Sequence, residues 1–322
     1  MTAHREWLRV CLLCLLTTTT YPGSPAQAQT YPAGPVKFIT PLGAGSGTDP
    51  AMRIVIDQLG KVWGQQTVLI NQPGAGGALA ARAAHSAAPD GHTLYMAIAS
   101  TFTVLPQLQP DLPFNVNDFV PIGFVGEVPM AIAVAPALAV NSLPELIVYS
   151  KKQASGLNLA ITRGSIPHMA AQLLRNRSGV DLAYVFYPGS SQAMSDVISG
   201  RVPIILDGIA GPITSGQLKL LAIAAPERVA SHPDIPTVAE TVPGFVATGW
   251  FVLVAPPGTP AAIVRKVSED LNAVLARVEV RQKLDALSIS TRTMSPERLS
   301  EFIESEHQLW KPVIQQLGLA TQ

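Results

Sequence analysis

The chain is poor in cysteine, in long apolar runs and in net charge. Its two cysteines, Cys11 and Cys14, both lie near the start of the 322 residues, so the remainder can form no disulfide. No apolar run approaches the roughly 20 residues that a membrane-spanning helix needs. The 22 basic residues balance 22 acidic ones, which argues against nucleic acid or an anionic membrane as the partner. A chain without cysteine after residue 14 can function in an oxidising compartment. Its length is sufficient for two domains.

The sequence also lacks the motifs of several common enzyme classes. Around Ser46, Ala44 and Thr48 replace the glycines that a nucleophile elbow requires. The histidines after the first 28 residues show no spacing typical of a zinc site. A dinucleotide fingerprint is incomplete, because Thr48 stands in place of its third glycine and Asn71-Gln72 replaces the acid that binds ribose. We therefore predict no catalysis, no metal and no cofactor, and keep an exported enzyme or nucleotide binder as the less favoured alternative.

Residues 1–28 have the features of a cleaved signal peptide. Arg5 and Arg9 give a basic start, Val10–Leu16 is apolar, and Ala26-Gln27-Ala28 supplies the small residues that precede a cleavage site. The sequence therefore predicts a periplasmic protein whose mature chain begins at Gln29. We expect a monomer without direct membrane insertion.

The rest of the chain alternates short strand patterns with helical ones, which predicts an α/β fold. Most strand patterns are continuous apolar runs, as in parallel strands that are covered on both faces. The predicted strands are Val36–Thr40, Thr67–Asn71, Thr93–Ala99, Val120–Val125, Ala131–Ala135, Leu157–Ile161, Leu182–Tyr187, Pro203–Leu206, Leu218–Ala224 and Phe251–Ala255.

Two glycine-rich loops lie between a predicted strand and a predicted helix. The first runs from Pro41 to Asp49, and the second from Asn71 to Gly77. Glycines at such a turn leave backbone N–H groups free for an anion, and the dipole of the following helix favours negative charge. We expect the N–H groups of residues 45–48 to be unpaired, with Asp49 either capping the helix, orienting the loop or accepting a hydrogen bond from the ligand.

A collinear series of motifs across residues 31–312 resembles the periplasmic solute-binding proteins of tripartite tricarboxylate transporters, also called Bug proteins. The motifs are Tyr31-Pro32, the loop that ends in Asp49, Asn71-x-Pro73-Gly74-Ala75-Gly76-Gly77, Ala88-Pro89-Asp90-Gly91, Asp118-Phe119-x-Pro121-Ile122, Gly164-Ser165-x-x-His168, Tyr187-x-Gly189, Pro233-Asp234-Ile235-Pro236, Gly249-Trp250-Phe251 and Ala255-Pro256-Pro257-Gly258-Thr259-Pro260.

The resemblance implies a two-lobed periplasmic binding protein of the type II kind, with two crossings between the lobes and the ligand in the cleft between them. By that analogy lobe one is 29–132 plus 250–322 and lobe two is 133–249. It also implies a small carboxylate or amino-acid-like ligand, delivered to membrane transporter subunits. A receptor that signals to a membrane sensor protein is the alternative within the same fold.

We predict that the ligand is bound by residues of both lobes, and that Arg163 contacts a second acidic group of the ligand or forms an inter-lobe ion pair when the lobes close on the ligand. Several positions depart from the family pattern, namely Leu42, Ser46, Thr162, Tyr184 and Pro188. The predicted ligand-binding residues are Leu42, Gly45, Ser46, Gly47, Thr48, Asp49, Gly76, Ala99, Ser100, Thr101, Arg163, Gly164, Ser165, Tyr187 and Asp207.

Overall fold

The computed structural model describes residues 31–209, 211–229 and 231–316. All elements below belong to one compact unit that begins at Pro32. The predicted signal peptide and its cleavage site before Gln29 lie outside the described residues, as do the last six residues of the predicted lobe one.

The strands are β1 (Val36–Thr40), β2 (Thr67–Asn71), β3 (Thr93–Ile98), β4 (Val120–Val134), β5 (Leu157–Thr162), β6 (Leu182–Tyr187), β7 (Ile204–Gly208), β8 (Lys219–Ile223) and β9 (Thr248–Ala255). The α-helices are α1 (Asp49–Trp63), α2 (Ala78–His85), α3 (Ala99–Thr103), α4 (Leu105–Leu108), α5 (Leu143–Ser150), α6 (Ile166–Ser178), α7 (Ser190–Ile198), α8 (Ala261–Ala276), α9 (Val278–Asp285) and α10 (Pro296–Gln316). Short 3₁₀ helices occupy Ala75–Gly77, Val116–Asp118, Gly211–Ile213 and Val238–Glu240.

The strands form two sheets that share β4. Sheet one has the order β2-β1-β3-β9-β4, and sheet two continues from β4 through β7 and β5 to β6, with β8 on the other side of β4. Strands β1, β2 and β3 pair in parallel, as do β5, β6 and β7. The parallel expectation is wrong for β4, β8 and β9, whose pairs are antiparallel.

A single long strand stands where two were predicted. Residues Val120–Pro129 of β4 pair with β9 in sheet one, and Met130–Val134 pair with β7 in sheet two. The sequence between the two apolar runs contains Gly126 and Pro129, residues that usually interrupt a strand. The strand nevertheless continues through both residues, with a shift in register near Gly126. Glycine is required there because a Cβ at this position would lie 2.7 Å from Ile289 Cγ2. The chain crosses between the sheets within β4 and returns just before β9, where Met130 N donates to Ala247 O.

Helices cover both sheets and complete the core. In α1 the residues Met52, Val55, Ile56 and Leu59 recur at helical spacing and are buried, and α1 packs against α8. Truncating a buried leucine such as Leu59 to alanine typically costs about 2–5 kcal/mol of unfolding free energy. Among the described residues, none of the helices is long and apolar enough to cross a membrane.

Candidate functional site

A cavity of about 140 Å³ lies between the two sheets, at the carboxyl ends of β1, β3, β5 and β7. Ligands of open α/β sheets collect at such ends because the loops there carry free backbone groups. Eleven predicted ligand-binding residues line the cavity: Leu42, Ser46, Gly47, Thr48, Gly76, Ala99, Ser100, Arg163, Gly164, Ser165 and Asp207. The structure thus brings together loops that lie more than 150 residues apart in the chain, such as those at Leu42 and Asp207.

Asp49 stabilises the first glycine loop through hydrogen bonds made outside the cavity lining. Its carboxylate accepts hydrogen bonds from Arg53 Nε (2.9 Å), Asn71 Nδ2 (2.9 Å) and Gly45 N (3.3 Å). Asn71 Nδ2 also donates to Leu42 O at 3.0 Å. Burial alone would raise the pKa of Asp49, but the bonds from Arg53, Asn71 and Gly45 outweigh it, and the net pKa is lower than usual. Asp49 is therefore an ionised support for the loop and lies outside the cavity lining.

Only two of the four loop N–H groups are free, which corrects the expectation for residues 45–48. Gly45 N donates to Asp49 Oδ2, and Ser46 N donates to Gly43 O at 3.1 Å. Within the described residues, the N–H groups of Gly47 and Thr48 have no acceptor. Both residues line the cavity and directly precede the 15-residue helix α1. An anion in the cavity would therefore meet two free donors and the positive end of a helix dipole.

The Ser46 hydroxyl is a further free group at the same place. Ser46 is only 4% exposed and lines the cavity. Its Oγ has no hydrogen-bond partner in the described part of the chain. A buried hydroxyl without a partner costs free energy. A polar ligand or water in the cavity would satisfy it.

The opposite wall is formed by the loop between β5 and α6. The Arg163 guanidinium lies over the Phe186 ring, 3.9 Å from its centroid, in cation–π geometry. Gly164 has φ +71°, a left-handed conformation that permits the sharp turn into α6. Ser165 caps α6 by accepting from His168 N at 3.2 Å. Both predicted roles of Arg163, contact with an acidic group of the ligand and an ion pair formed on closure, stay predictions.

His168 supports this loop from inside the second lobe. Its Nδ1 accepts from Gly164 N at 3.3 Å, and its ring packs edge-on against Tyr184 and Phe186. The side chain is 2% exposed. Burial, with a smaller contribution from the Arg163 charge, lowers the pKa of His168 from 6.5 to about 4. His168 is therefore neutral at physiological pH.

Asp207 is the acidic side chain of the cavity lining. It lies near the end of β7, accepts a hydrogen bond from Ser190 Oγ, and accepts another from Gly208 N at 2.8 Å. Burial raises the pKa of Asp207, and the two hydrogen bonds oppose that shift. The cavity thus has one basic and one acidic side chain, Arg163 and Asp207.

Four predicted residues lie outside the cavity lining: Gly45, Asp49, Thr101 and Tyr187. Gly45 and Asp49 bond to each other, as described above. Thr101 is buried and its Oγ1 lies 3.1 Å from Tyr95 Oη. Tyr187 Oη donates to Asp196 Oδ2 at 2.7 Å, so its hydroxyl is already bonded on α7. The polar groups of these four residues therefore have protein partners in this structure.

The sequence analysis missed the apolar wall of the cavity. Val128 and Met130 come from β4, and Trp250 and Phe251 come from β9. The Trp250 indole donates to Glu306 Oε2 at 2.8 Å and its ring stacks on Phe102. The motif Gly249-Trp250-Phe251 was a signal for these residues, since it is one of the motifs on which the family resemblance rests.

The two sides of the cavity touch at its rim. Ser191 Oγ donates to Ala44 O at 3.1 Å. A Cβ on Gly211 would lie 3.7 Å from Gly47 Cα, and a Cβ on Gly76 would lie 3.8 Å from Arg163 O. Backbone segments of the two sides therefore approach closely at glycines, and the cavity is closed at these points.

The described residues hold no group of three or more histidine, cysteine or acidic side chains that is placed to bind a metal ion. The remaining features are a two-lobed α/β fold, a cavity between the lobes and free backbone donors within it. These are the features of a solute-binding protein.

The family follows from comparison with known proteins. Residues 51–319 match the family model described as the tripartite tricarboxylate transporter family receptor, and the chain belongs to this family. Protein BugT of Bordetella pertussis is 32% identical over 302 residues, which are 92% of this chain and 93% of BugT.

Solved structures show the same fold. The periplasmic binding protein BugD superposes with a TM-score of 0.85 at 30% identity, over 90% of this chain and 99% of BugD. MatC from Rhodopseudomonas palustris with bound malate gives a TM-score of 0.82 at 30% identity, over 88% of this chain and all of MatC. Both structures support the two-lobed fold predicted from the sequence.

Proposed function

We propose that this receptor captures a small carboxylate in the cavity and delivers it to the membrane subunits of a transporter. In this proposal the protein is exported with a mature N-terminus at Gln29, catalyses no reaction, and has lobes that comprise 29–132 plus 250–322 and 133–249. The observation that carries the proposal is the pair of free N–H groups on Gly47 and Thr48 at the start of α1.

A carboxylate at these donors gains charge-assisted hydrogen bonds, each worth about 1.5–3 kcal/mol. The Ser46 hydroxyl is a third donor within the same loop. Together these groups supply an anion site without a lysine or arginine. The malate bound to the related MatC is a carboxylate, which supports the same ligand class for this chain.

The experiment compares carboxylates with uncharged analogues of the same shape. Thermal-shift measurements of the purified mature protein should show that succinate or malate raises Tm, because a ligand that binds only the native state stabilises it. Succinamide, which has the same skeleton without charge, should leave Tm unchanged. If no carboxylate raises Tm, the proposal is refuted.

Fluorescence then places the ligand. Trp250 lines the cavity, whereas Trp63 lies on α1, where its indole donates to Asp270. A carboxylate that changes the fluorescence of the wild type should still do so in Trp63→Phe and should lose the effect in Trp250→Phe. Because Trp310 is also buried, a change that persists in the double variant Trp250→Phe, Trp310→Phe would place the ligand outside this cavity.

A further inference from the structure

An acidic side chain in a cavity that binds carboxylates requires an explanation. Asp207 lines the cavity from the sheet-two side, at the end of β7. Its Oδ2 accepts from Ser190 Oγ and its Oδ1 accepts from Gly208 N at 2.8 Å. An ionised carboxylate has about four acceptor positions, so the protein leaves part of its capacity unused.

Within the described residues, no cationic nitrogen lies within 4 Å of Asp207. Arg163, the basic residue of the lining, lies over the Phe186 ring instead. Asp207 is half-buried, and a carboxylate partly removed from water without a cation or a full set of donors is costly. The missing partner must therefore enter with the ligand or with water.

The two bonds that Asp207 does make act in one direction. Both Ser190 and Gly208 donate to it, so both favour the ionised form and orient its free lone pairs. In its ionised form Asp207 offers no donor to a hydrogen-bond acceptor on the ligand. A hydrogen-bond donor would find a ready acceptor.

We propose that the ligand carries a hydrogen-bond donor, an ammonium or a hydroxyl group, in addition to its carboxylate, and that Asp207 accepts the bond from this donor. This inference rests on the proposed function, in which the first carboxylate binds at Gly47 and Thr48. Asp207 thus selects amino or hydroxy acids over unsubstituted acids of the same length, because a plain methylene would leave its lone pairs unsatisfied.

The test uses matched acids that differ only at one carbon. The probes are succinate, malate and aspartate, then glutarate, 2-hydroxyglutarate and glutamate, and finally adipate with 2-aminoadipate. Titration calorimetry at pH 7.5 gives Kd for each. At the chain length that fits, we expect the substituted acid to bind roughly ten- to hundredfold more tightly than the unsubstituted one, the range that a hydrogen bond to a charged group provides. Comparison of the amino and hydroxy acids identifies which donor is used.

Asp207→Asn should reduce this preference to less than threefold, while the unsubstituted acid still binds. Asp111→Asn removes an equal charge from an exposed loop and should retain the full preference, so it is the matched control. Asp207→Ser also removes the carboxylate and should reduce the preference in the same way, which keeps the test decisive if Asp207→Asn does not fold.

The outcomes separate the two proposals. If the unsubstituted acids bind as tightly as the substituted ones, or if folded Asp207→Asn keeps the preference, the role of Asp207 is refuted and carboxylate capture stands. If Asp207→Asn does not fold, retention of the preference in folded Asp207→Ser counts against the proposal. If none of these acids binds, carboxylate capture is refuted and this inference falls with it.

Discussion

Replacing Gly47 with proline removes one of the two free N–H groups without removing any side chain. Gly47 is not among the residues with left-handed φ, so the φ of about −65° that proline imposes is not excluded by the sign of the native angle. No hydrogen bond within the described residues uses the Gly47 N–H, so the unliganded fold loses none. The loss should therefore fall on ligand binding alone.

The expected loss of ligand affinity is that of one charge-assisted hydrogen bond. At about 1.5–3 kcal/mol for the bond, and about 1.4 kcal/mol for each factor of ten, Gly47→Pro should raise Kd roughly ten- to hundredfold. Titration calorimetry with the tightest carboxylate measures Kd, and thermal unfolding without ligand should give a Tm close to that of the wild type.

Two control variants distinguish the lost donor from other effects. Gly47→Ala adds a side chain at the same position but keeps the N–H, and should bind much better than the proline variant. Ser46→Ala removes the free hydroxyl and keeps the backbone donor, and should weaken binding less than Gly47→Pro. If Gly47→Pro binds with a Kd within threefold of the wild type, the backbone-anchor mechanism is wrong.

Four other results are expected. Arg163→Ala should weaken dicarboxylates at least tenfold more than monocarboxylates in calorimetry, because its guanidinium is the basic group of the cavity; equal losses would exclude a recognition role. The pKa of His168 is about 4 in the folded protein and 6.5 in the unfolded chain. Because the unfolded chain binds the proton more readily, the free energy of unfolding should be highest above pH 6.5 and fall by roughly 3 kcal/mol as the pH drops toward 4. His168→Gln should therefore flatten the dependence of Tm on pH in this window, and an unchanged slope would contradict the assignment. Saturating ligand should lower the radius of gyration in small-angle scattering, and Ser191→Ala, which loses the rim bond to Ala44, should reduce that compaction; identical radii with and without ligand would indicate a rigid cavity. Intact mass of periplasmic protein should correspond to a chain that begins at Gln29, and any other N-terminus would refute the predicted cleavage site.

Much of the fold could be predicted from local patterns. The bounds of β1, β2 and β6 are those expected from the apolar runs, because each strand is short and buried on at least part of its length. The helix that begins after the first glycine loop was expected for the same local reason. The pairing of the strands was less predictable. An apolar run is equally consistent with parallel and antiparallel neighbours, and β9 enters sheet one antiparallel although its sequence resembles that of a parallel strand.

The candidate site, too, could be predicted only in part from the sequence. Glycines between a strand and a helix marked the loop at residues 43–48, because only backbone without bulky side chains leaves donors accessible. The sequence could not show which donors remain free. That depends on Asp49, whose carboxylate accepts the Gly45 N–H, and on the turn in which Ser46 N bonds to Gly43 O.

The sequence by itself determined the alternation of strands and helices, the two glycine loops and the membership of a receptor family. Only the tertiary structure decided what faces the cavity. In the folded chain, the hydroxyls of Thr101 and Tyr187 bond to other protein groups and lie outside the cavity lining. Trp250 becomes part of the apolar wall of the cavity, and Asp207 lines the cavity together with the first glycine loop. The reason is physical: secondary structure follows from contacts within a few residues, whereas a cavity between two lobes is formed by groups that only the folded chain brings together.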